Sequence, residues 1–513
     1  MTGTDRGLRA RTSGVLLHPT SLPGAHGIGD LGRGARAFVD FLARGRQCWW
    51  QTLPLTPAGA GNSPYSGASA FAGNPLLVDL EALVDAGLLD RSQMPAPMHT
   101  ERVDYGAAAT VRTDALRLAF ARFGRSGSEQ QMAAFRERTA WWLPDFALFS
   151  ALSGAHGGRP WTTWSAELRT RAPQALARAR RELASEIAFV EFQQLVFDRQ
   201  WHALRRHAAA RGVGIFGDVP IFVAHDSADV WSHPRLFLLR EDGEPTHVSG
   251  VPPDCFSADG QRWGTPLYRW SHSRRTGHRW WIERLRCALQ RTDLVRLDHF
   301  VGFAHYWAVQ SHEPTAKHGR WAMGPGAELF DAARTALDWE SWPLVAEDLG
   351  TVTAQVHALR ERLGLPGMQV LQFVLGEASP AALETVPADC VLYTGTHDND
   401  TVVGWLDKGG DALRRAARQA TRRGEIGEAE PLHRALVELS MASRARTVIV
   451  PMQDLLGLGS EARMNTPGEP DGHWTWRVPQ GVEYGALAED LAARTVRYGR
   501  DRRSASSAAS SAT

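Results

Sequence analysis

Three apolar runs of this chain each end on a carboxylate: Leu294-Val-Arg-Leu-Asp298, Pro343-Leu-Val-Ala-Glu347-Asp348 and Val391-Leu-Tyr-Thr-Gly-Thr-His397-Asp398. Asp298 and Glu347 stand 49 residues apart, and Glu347 and Asp398 stand 51 apart. That spacing suits a repeating strand-then-helix unit, which delivers the residues at its strand ends to one common mouth. Carboxylates gathered at such a mouth suggest glycosidic-bond chemistry, which needs one carboxylate nucleophile or base and one carboxylic acid.

The same kind of run recurs near 14–18, 47–53, 213–219, 369–374 and 446–451, beside those at 293–298, 343–347 and 391–396. Such runs are apolar throughout because a parallel sheet is buried on both faces. Helical patterns follow most of them, for example over 33–43 and 353–363. The expected fold is therefore α/β, a (β/α)8 TIM barrel with inserted, largely helical subdomains. About 160 residues separate the second and third runs, too many for a structureless connection. Residues 100–210 are rich in Ala, Arg, Glu and Leu and read as helical. Insertions are placed near 74–210 and 225–290, the second richer in Pro, Gly and Trp, within one catalytic barrel over 1–500. The Ser/Ala-rich tail 501–513 reads as disordered.

Composition removes several classes of function. With 57 basic and 56 acidic residues the net charge is +1, which argues against a nucleic-acid partner. No apolar run approaches the roughly 20 residues of a membrane span, and Met1 to Ser13 is polar and Arg-rich without a signal core. Cys48, Cys255, Cys287 and Cys390 are few and show no metal-knuckle spacing, which reads as a reduced, cytoplasmic protein without metal. No Gly-rich phosphate loop or Gly-x-Ser-x-Gly elbow is present, so kinase, dehydrogenase and serine-hydrolase readings lack support.

Positions i and i+2 of a strand share a face, which puts Arg296 beside Asp298. A neighbouring positive charge favours the ionised carboxylate that a nucleophile needs; a structural Arg–Asp pair at the rim reads equally well. Glu347 closes its strand as a candidate general acid, because burial and nearby negative charge raise a carboxyl pKa. Asp348 supports it or caps a helix starting near 351. Gly395-Thr-His-Asp-Asn-Asp-Thr401 is too polar to read as packing. Its His397 and Asp398 suit sugar hydroxyls and an oxocarbenium-like transition state, although His397 alone is also compatible with a structural histidine. Asp218 is a fourth acid at the same rim.

The motifs, taken together, resemble the amylomaltases, the bacterial 4-alpha-glucanotransferases of glycoside hydrolase family seventy-seven, relatives of the alpha-amylases. The resemblance runs from about residue 14 to the 470s. It is carried by Gly14-VLLHPTSLPG-Ala25, Ser63-PYSG-Ala68, Ser69-AFAGNPLL-Val78 and Gly217-DVPIFVAHDSADV-Trp231. It continues in Gly250-VPPDCFSADGQRWGTPL-Tyr268, Arg296-LDHF-Val301, Ala346-EDLG-Thr351, Pro366-GMQVLQ-Phe373, Tyr393-TGTHDNDT-Val402 and Pro451-MQDLLGLGSEARMNTP-Gly468.

The resemblance implies a retaining double displacement with Asp298 as nucleophile, Glu347 as acid/base and Asp398 as transition-state stabiliser. It implies substrate-binding roles for Tyr65, Asp218, Trp263, Arg296, Asp348, His397 and Asn465. Tyr65 and Trp263 correspond to residues of the lid loops 59–67 and 250–266. No cofactor or metal is implied. The partners would be an α-1,4-glucan donor and a glucose or maltooligosaccharide acceptor, bound by a monomer or weak homo-oligomer. An α-1,4-glucan hydrolase of the amylase type is the alternative activity. A non-catalytic glucan-binding protein fits less well with all three acids, Arg296 and His397 retained. The chain departs from the family pattern at Ala60, Asn62, Cys255, Thr265 and Val301.

Overall fold

Eight parallel strands form the central sheet of the computed structural model, which describes residues 10–124, 129–253, 257–376, 382–427, 429–469 and 472–501. They are β1 (Thr12–Leu16), β2 (Trp49–Gln51), β3 (Gly214–Pro220), β6 (Leu294–Asp298), β9 (Leu344–Ala346), β10 (Gly367–Val370), β11 (Cys390–Tyr393) and β12 (Thr447–Pro451). Their order is β10-β11-β12-β1-β2-β3-β6-β9. The Ala346 N–H of β9 donates to Pro366 O just ahead of β10 at 2.9 Å, bringing the two ends of the sheet together. The protein is an α/β barrel with its helices outside.

The strands form where apolar, β-branched residues allow burial on both faces. Every residue of β1 and β12 is buried. Trp50 of β2 is fully buried and meets Phe38 of the helix Arg33–Arg44 edge-on, with centroids 5.1 Å apart. Burying one side chain of that size stabilises the fold by about 1.5–3 kcal/mol. Gly14 is required by close approach: a Cβ there would stand 2.5 Å from both Cβ and O of Trp49.

Seven of the apolar runs contain or overlap the strands they predict with small shifts at the ends. The run placed at 369–374 divides differently. The strand is Gly367–Val370, and Leu371–Gly376 turns into a helix whose Leu371 and Leu375 pack into a separate apolar cluster. Apolar content alone does not separate a buried strand from a buried helix, which explains the offset.

Between β2 and β3 the chain is mainly helical, with helices at Tyr105–Phe123, Glu129–Arg138, Leu143–Ala155, Pro173–Glu182 and Ala184–Ala210. The last buries Phe192, Leu195, Trp201 and Leu204 and leads directly into β3. A second, antiparallel sheet was not legible from composition. It comprises β4 (His247–Val251), β5 (Gln261–Pro266), β7 (His305–Gln310) and β8 (Gly319–Met323), in the order β5-β4-β7-β8. The Ser/Ala-rich tail from 502 onward, Met1 to Arg9 and Cys255 lie outside the described residues.

Candidate active site

Asp218, Asp298, Glu347, His397 and Asp398 all stand at the C-terminal ends of barrel strands or directly after them. Along β6, Val295 and Leu297 pack outward against the helices, while Leu294 belongs to the other apolar cluster, which includes Phe216 and Val345 of the neighbouring strands. Arg296 and Asp298 share that second face. The β3–β6 register sets Asp218 opposite Arg296.

The geometry that follows is a shared guanidinium. Arg296 Nη1 donates to Asp218 Oδ2 at 2.8 Å, and Nη2 pairs with Asp298 Oδ1 at 2.7 Å. Arg296 and Asp218 are buried, whereas a quarter of the Asp298 side chain stays open, at 26 %. Burial opposes the charge on Arg296, but Asp218 and then Asp298 outweigh it and raise its pKa. Burial pushes Asp218 up, against the pull of Arg296.

Glu347 accepts two backbone N–H groups. His299 N donates to Oε2 at 2.7 Å and Leu349 N to Oε1 at 3.0 Å. Burial drives its carboxyl up, Arg296 opposes this and the charge of Asp298 adds to it; the balance lies at about 7. A carboxyl poised there is suited to give and take a proton near neutral pH.

Asp348 is engaged by its own neighbours. Its Oδ1 accepts the Met368 N–H at 2.8 Å, and Oδ2 pairs with Arg360 at 3.2 Å. It also caps no helix, since the following helix is Ala354–Leu363 with Thr353 at its N-cap. The side chain is drawn to the Met368 N–H of β10 and to a half-buried guanidinium, and so braces β9 against β10.

The polar loop after β11 is built on its own hydrogen bonds. Asn399 Oδ1 accepts from Thr396 N and Oγ1 at 2.9 and 2.8 Å. Asn465 Nδ2 donates to Asp398 Oδ1 at 2.6 Å, and His397 Nε2 lies 3.3 Å from Asp398 Oδ2. Burial raises the Asp398 pKa, but His397, Asn465 and Arg296 together overcome it and hold the carboxyl at about 2. Asp398 thus stays ionised at the same rim where Glu347 keeps its proton up to about 7.

Tyr65 ties two of these groups together. Its hydroxyl donates to Asp218 Oδ2 at 2.7 Å, and its ring stacks on His397 with centroids 5.0 Å apart. Trp263 of β5 is 40 % exposed and stands edge-on to His299, 4.8 Å between centroids.

Three residues at the site escaped singling out in the sequence. His299 has φ +50°, rare outside glycine, and carries both the Glu347 contact and the Trp263 contact. Burial pushes its pKa down to about 4, so the ring is neutral at ordinary pH. Its position directly after Asp298 was the available signal. Trp474 packs against His397 at 5.8 Å, and Arg463 Nη2 donates to Asp398 O at 2.6 Å. Both arrive from far along the chain; Arg463 lies within the Pro451–Gly468 motif without standing out in it, and nothing local marks Trp474.

The departures from the family pattern have distinct settings. Thr265 Oγ1 bonds Ser249 Oγ across β4 and β5. Val301 is buried in an apolar cluster, and Asn62 adopts φ +60°. Among the described residues, no group of three or more His, Cys, Asp or Glu side chains is arranged to hold a metal ion, and no helix is long and apolar enough to cross a membrane.

A parallel barrel with acids converging at its strand ends belongs to the class of enzymes that break and remake glycosidic bonds. Comparison with known proteins narrows that class. A family model described as Glyco_hydro_77, 4-alpha-glucanotransferase, matches residues 17–482. The 4-alpha-glucanotransferase of Thermus thermophilus is 49 % identical over 501 residues, covering 95 % of this chain and 99 % of its own. That of a Synechocystis species is 44 % identical over 507 residues, covering 96 % and 99 %. The amylomaltase of Streptococcus agalactiae, solved in complex with acarbose, superposes with a TM-score of 0.92 at 35 % identity, covering 96 % of this chain and all of its own. The chain belongs to the 4-alpha-glucanotransferase family, glycoside hydrolase family 77.

Proposed function

We propose that this protein transfers α-1,4-glucan segments between maltooligosaccharides or starch-type glucans by a retaining double displacement. The supporting observation is the division of the acids: Glu347 is pushed up to about 7 while Asp398 is held at about 2 at the same rim.

Glu347 protonates the leaving glycosidic oxygen as Asp298 attacks C1. The C1–O bond breaks, and a β-linked glucosyl ester to Asp298 forms. The fragment that carried the leaving oxygen departs with the Glu347 proton. The 4-OH of a second glucan then enters, ionised Glu347 takes its proton, and a new α-1,4 bond forms as the ester breaks. Asp398, fixed by Asn465 and His397, favours the positive charge that develops on the sugar ring. Arg296 orients Asp298, and Tyr65 and Asp218 hold sugar hydroxyls.

Water competes with the acceptor at high concentration, so transfer requires a shielded ester and a positioned acceptor. We assign that shielding to the loops 59–67 and 250–266, with Tyr65 and Trp263 as stacking faces. The residues 254–256 of the second loop lie outside those described. The cytoplasm, where soluble glucans are remodelled, is the proposed compartment.

Incubation with maltotriose tests the reading. Transfer yields glucose and a ladder of longer maltooligosaccharides with little net gain in reducing ends. Shorter sugars alone, with reducing ends rising, would make the protein a hydrolase of the amylase type.

A further inference from the structure

The antiparallel sheet has an outer face that the proposed reaction does not use. Along β7, Tyr306 and Ala308 pack inward, Tyr306 standing edge-on to Phe222 at 6.1 Å. Alternation sends His305 and Trp307 to the opposite face. The β7–β8 register pairs His305 with Met323 and Trp307 with Trp321, so all four share that outer face.

The face is built to hold one indole upright. Trp307 is anchored by Nε1 donating to Ala316 O at 2.8 Å. A Cβ at Gly319 would stand 2.3 Å from the Trp307 indole nitrogen, so glycine there lets Trp307 lie across β8. Trp321 then rests edge-on against Trp307 at 5.2 Å and His305 at 4.8 Å. Held on two sides, Trp321 still leaves 44 % of its surface to solvent, and Met323 leaves 66 %.

A second observation points to a polar ligand. His305 is only 6 % exposed, and among the described residues neither ring nitrogen has a hydrogen-bond partner. With no protein partner at either nitrogen, the ring leaves its donor and its acceptor for a group that brings its own. A neutral imidazole offers one donor and one acceptor, which is what a hydroxyl-bearing ligand uses. Its cross-strand neighbour on that face is Met323, an unbranched and exposed side chain that shifts readily.

We infer that Trp321, Met323 and His305 form a surface site for an α-glucan chain, separate from the barrel mouth. The apolar face of a glucose ring stacks on the Trp321 indole, and a sugar hydroxyl displaces Met323 to reach His305. A small aromatic platform with an unsatisfied polar group beneath it suits a sugar better than a protein, whose interfaces need a larger continuous patch. Trp263 lies on β5 at the other edge of the sheet, roughly 14 Å away at three interstrand spacings. Polymer held on the platform raises the local concentration of chain ends near the mouth. The inference rests on the glucan reading of the active site.

The test is Trp321→Ala, with Trp321→Phe as the aromatic control, in native gels containing amylose and in maltotriose kinetics. The expected result is about fivefold to tenfold weaker retardation by amylose for the alanine variant, most of it restored by phenylalanine. The kcat/KM for maltotriose, too short to span both places, stays at the wild-type value. Unchanged amylose retardation in a Trp321→Ala protein that still turns over maltotriose would overturn the site. So would a loss of self-association with amylose binding intact, which would make the face a contact between copies. Wild-type protein inert toward maltotriose yet retarded through Trp321 would sink the transfer reading and spare the platform.

Discussion

His299 donates its backbone N–H to Glu347 Oε2 at 2.7 Å while its side chain carries the ring of Trp263 at 4.8 Å. One residue in a left-handed backbone conformation therefore touches both Trp263 of β5 and the proposed acid.

The forward step uses protonated Glu347. Its pKa is raised, so the acid form persists up to about 7 and is lost above it. The kcat/KM for maltotriose should fall along a basic limb centred at about 7. Glu347→Gln should remove that limb and slow turnover by roughly 10²–10⁴-fold. A pH–rate series on both proteins checks it.

Removing Arg296 leaves the buried Asp218 without its ion-pair partner and Asp298 without its guanidinium. Breaking a buried pair in this way costs about 3–5 kcal/mol. Arg296→Met should lower the urea midpoint accordingly, and adding Asp218→Leu should recover part of the loss. Equal stability of the single variant and wild type would show the pair to be energetically idle.

Trp263→Ala should shift the ratio of products. With less cover over the ester, water gains on the acceptor, and reducing ends should rise per transfer event. The measurement is glucose and total reducing ends from maltotriose, side by side. A lower rate with an unchanged ratio would confine Trp263 to binding.

Gly14→Ala should destabilise the barrel by about 1–3 kcal/mol, because the new Cβ meets the Trp49 backbone and Cβ at 2.5 Å. Gly154→Ala, in the helix Leu143–Ala155 with nothing within 4 Å, should be neutral or mildly stabilising. Thermal melts of the two variants make the comparison.

The barrel was legible because its strands are continuous apolar runs, and continuous runs mean burial on both faces. The offset at 369–374 came from the same rule, since Leu371 and Leu375 are buried in a helix. The antiparallel sheet left little trace: Trp263 and Trp321 are exposed and Gly250 and Gly319 interrupt the strands, so alternation is broken. At the site, the pairing of Arg296 with Asp298 followed from two-residue periodicity. The packing of Trp474 on His397 did not, because it brings together residues far apart in the chain with no local pattern to announce it. The bonds of Asp348 to Met368 N and Arg360 were not legible, because a strand-end carboxylate satisfies a neighbouring strand as readily as a ligand.

The central claim is that Asp298 forms the covalent bond to the sugar. An α-glucosyl fluoride carrying a second fluorine at C5 has a reactive leaving group but slow ester breakdown, so it traps a glycosyl-enzyme. Proteolysis and mass spectrometry of the labelled protein should place a single adduct on Asp298. An adduct on Glu347, Asp398 or Asp218, or turnover with no adduct and inverted anomeric configuration, would contradict the account.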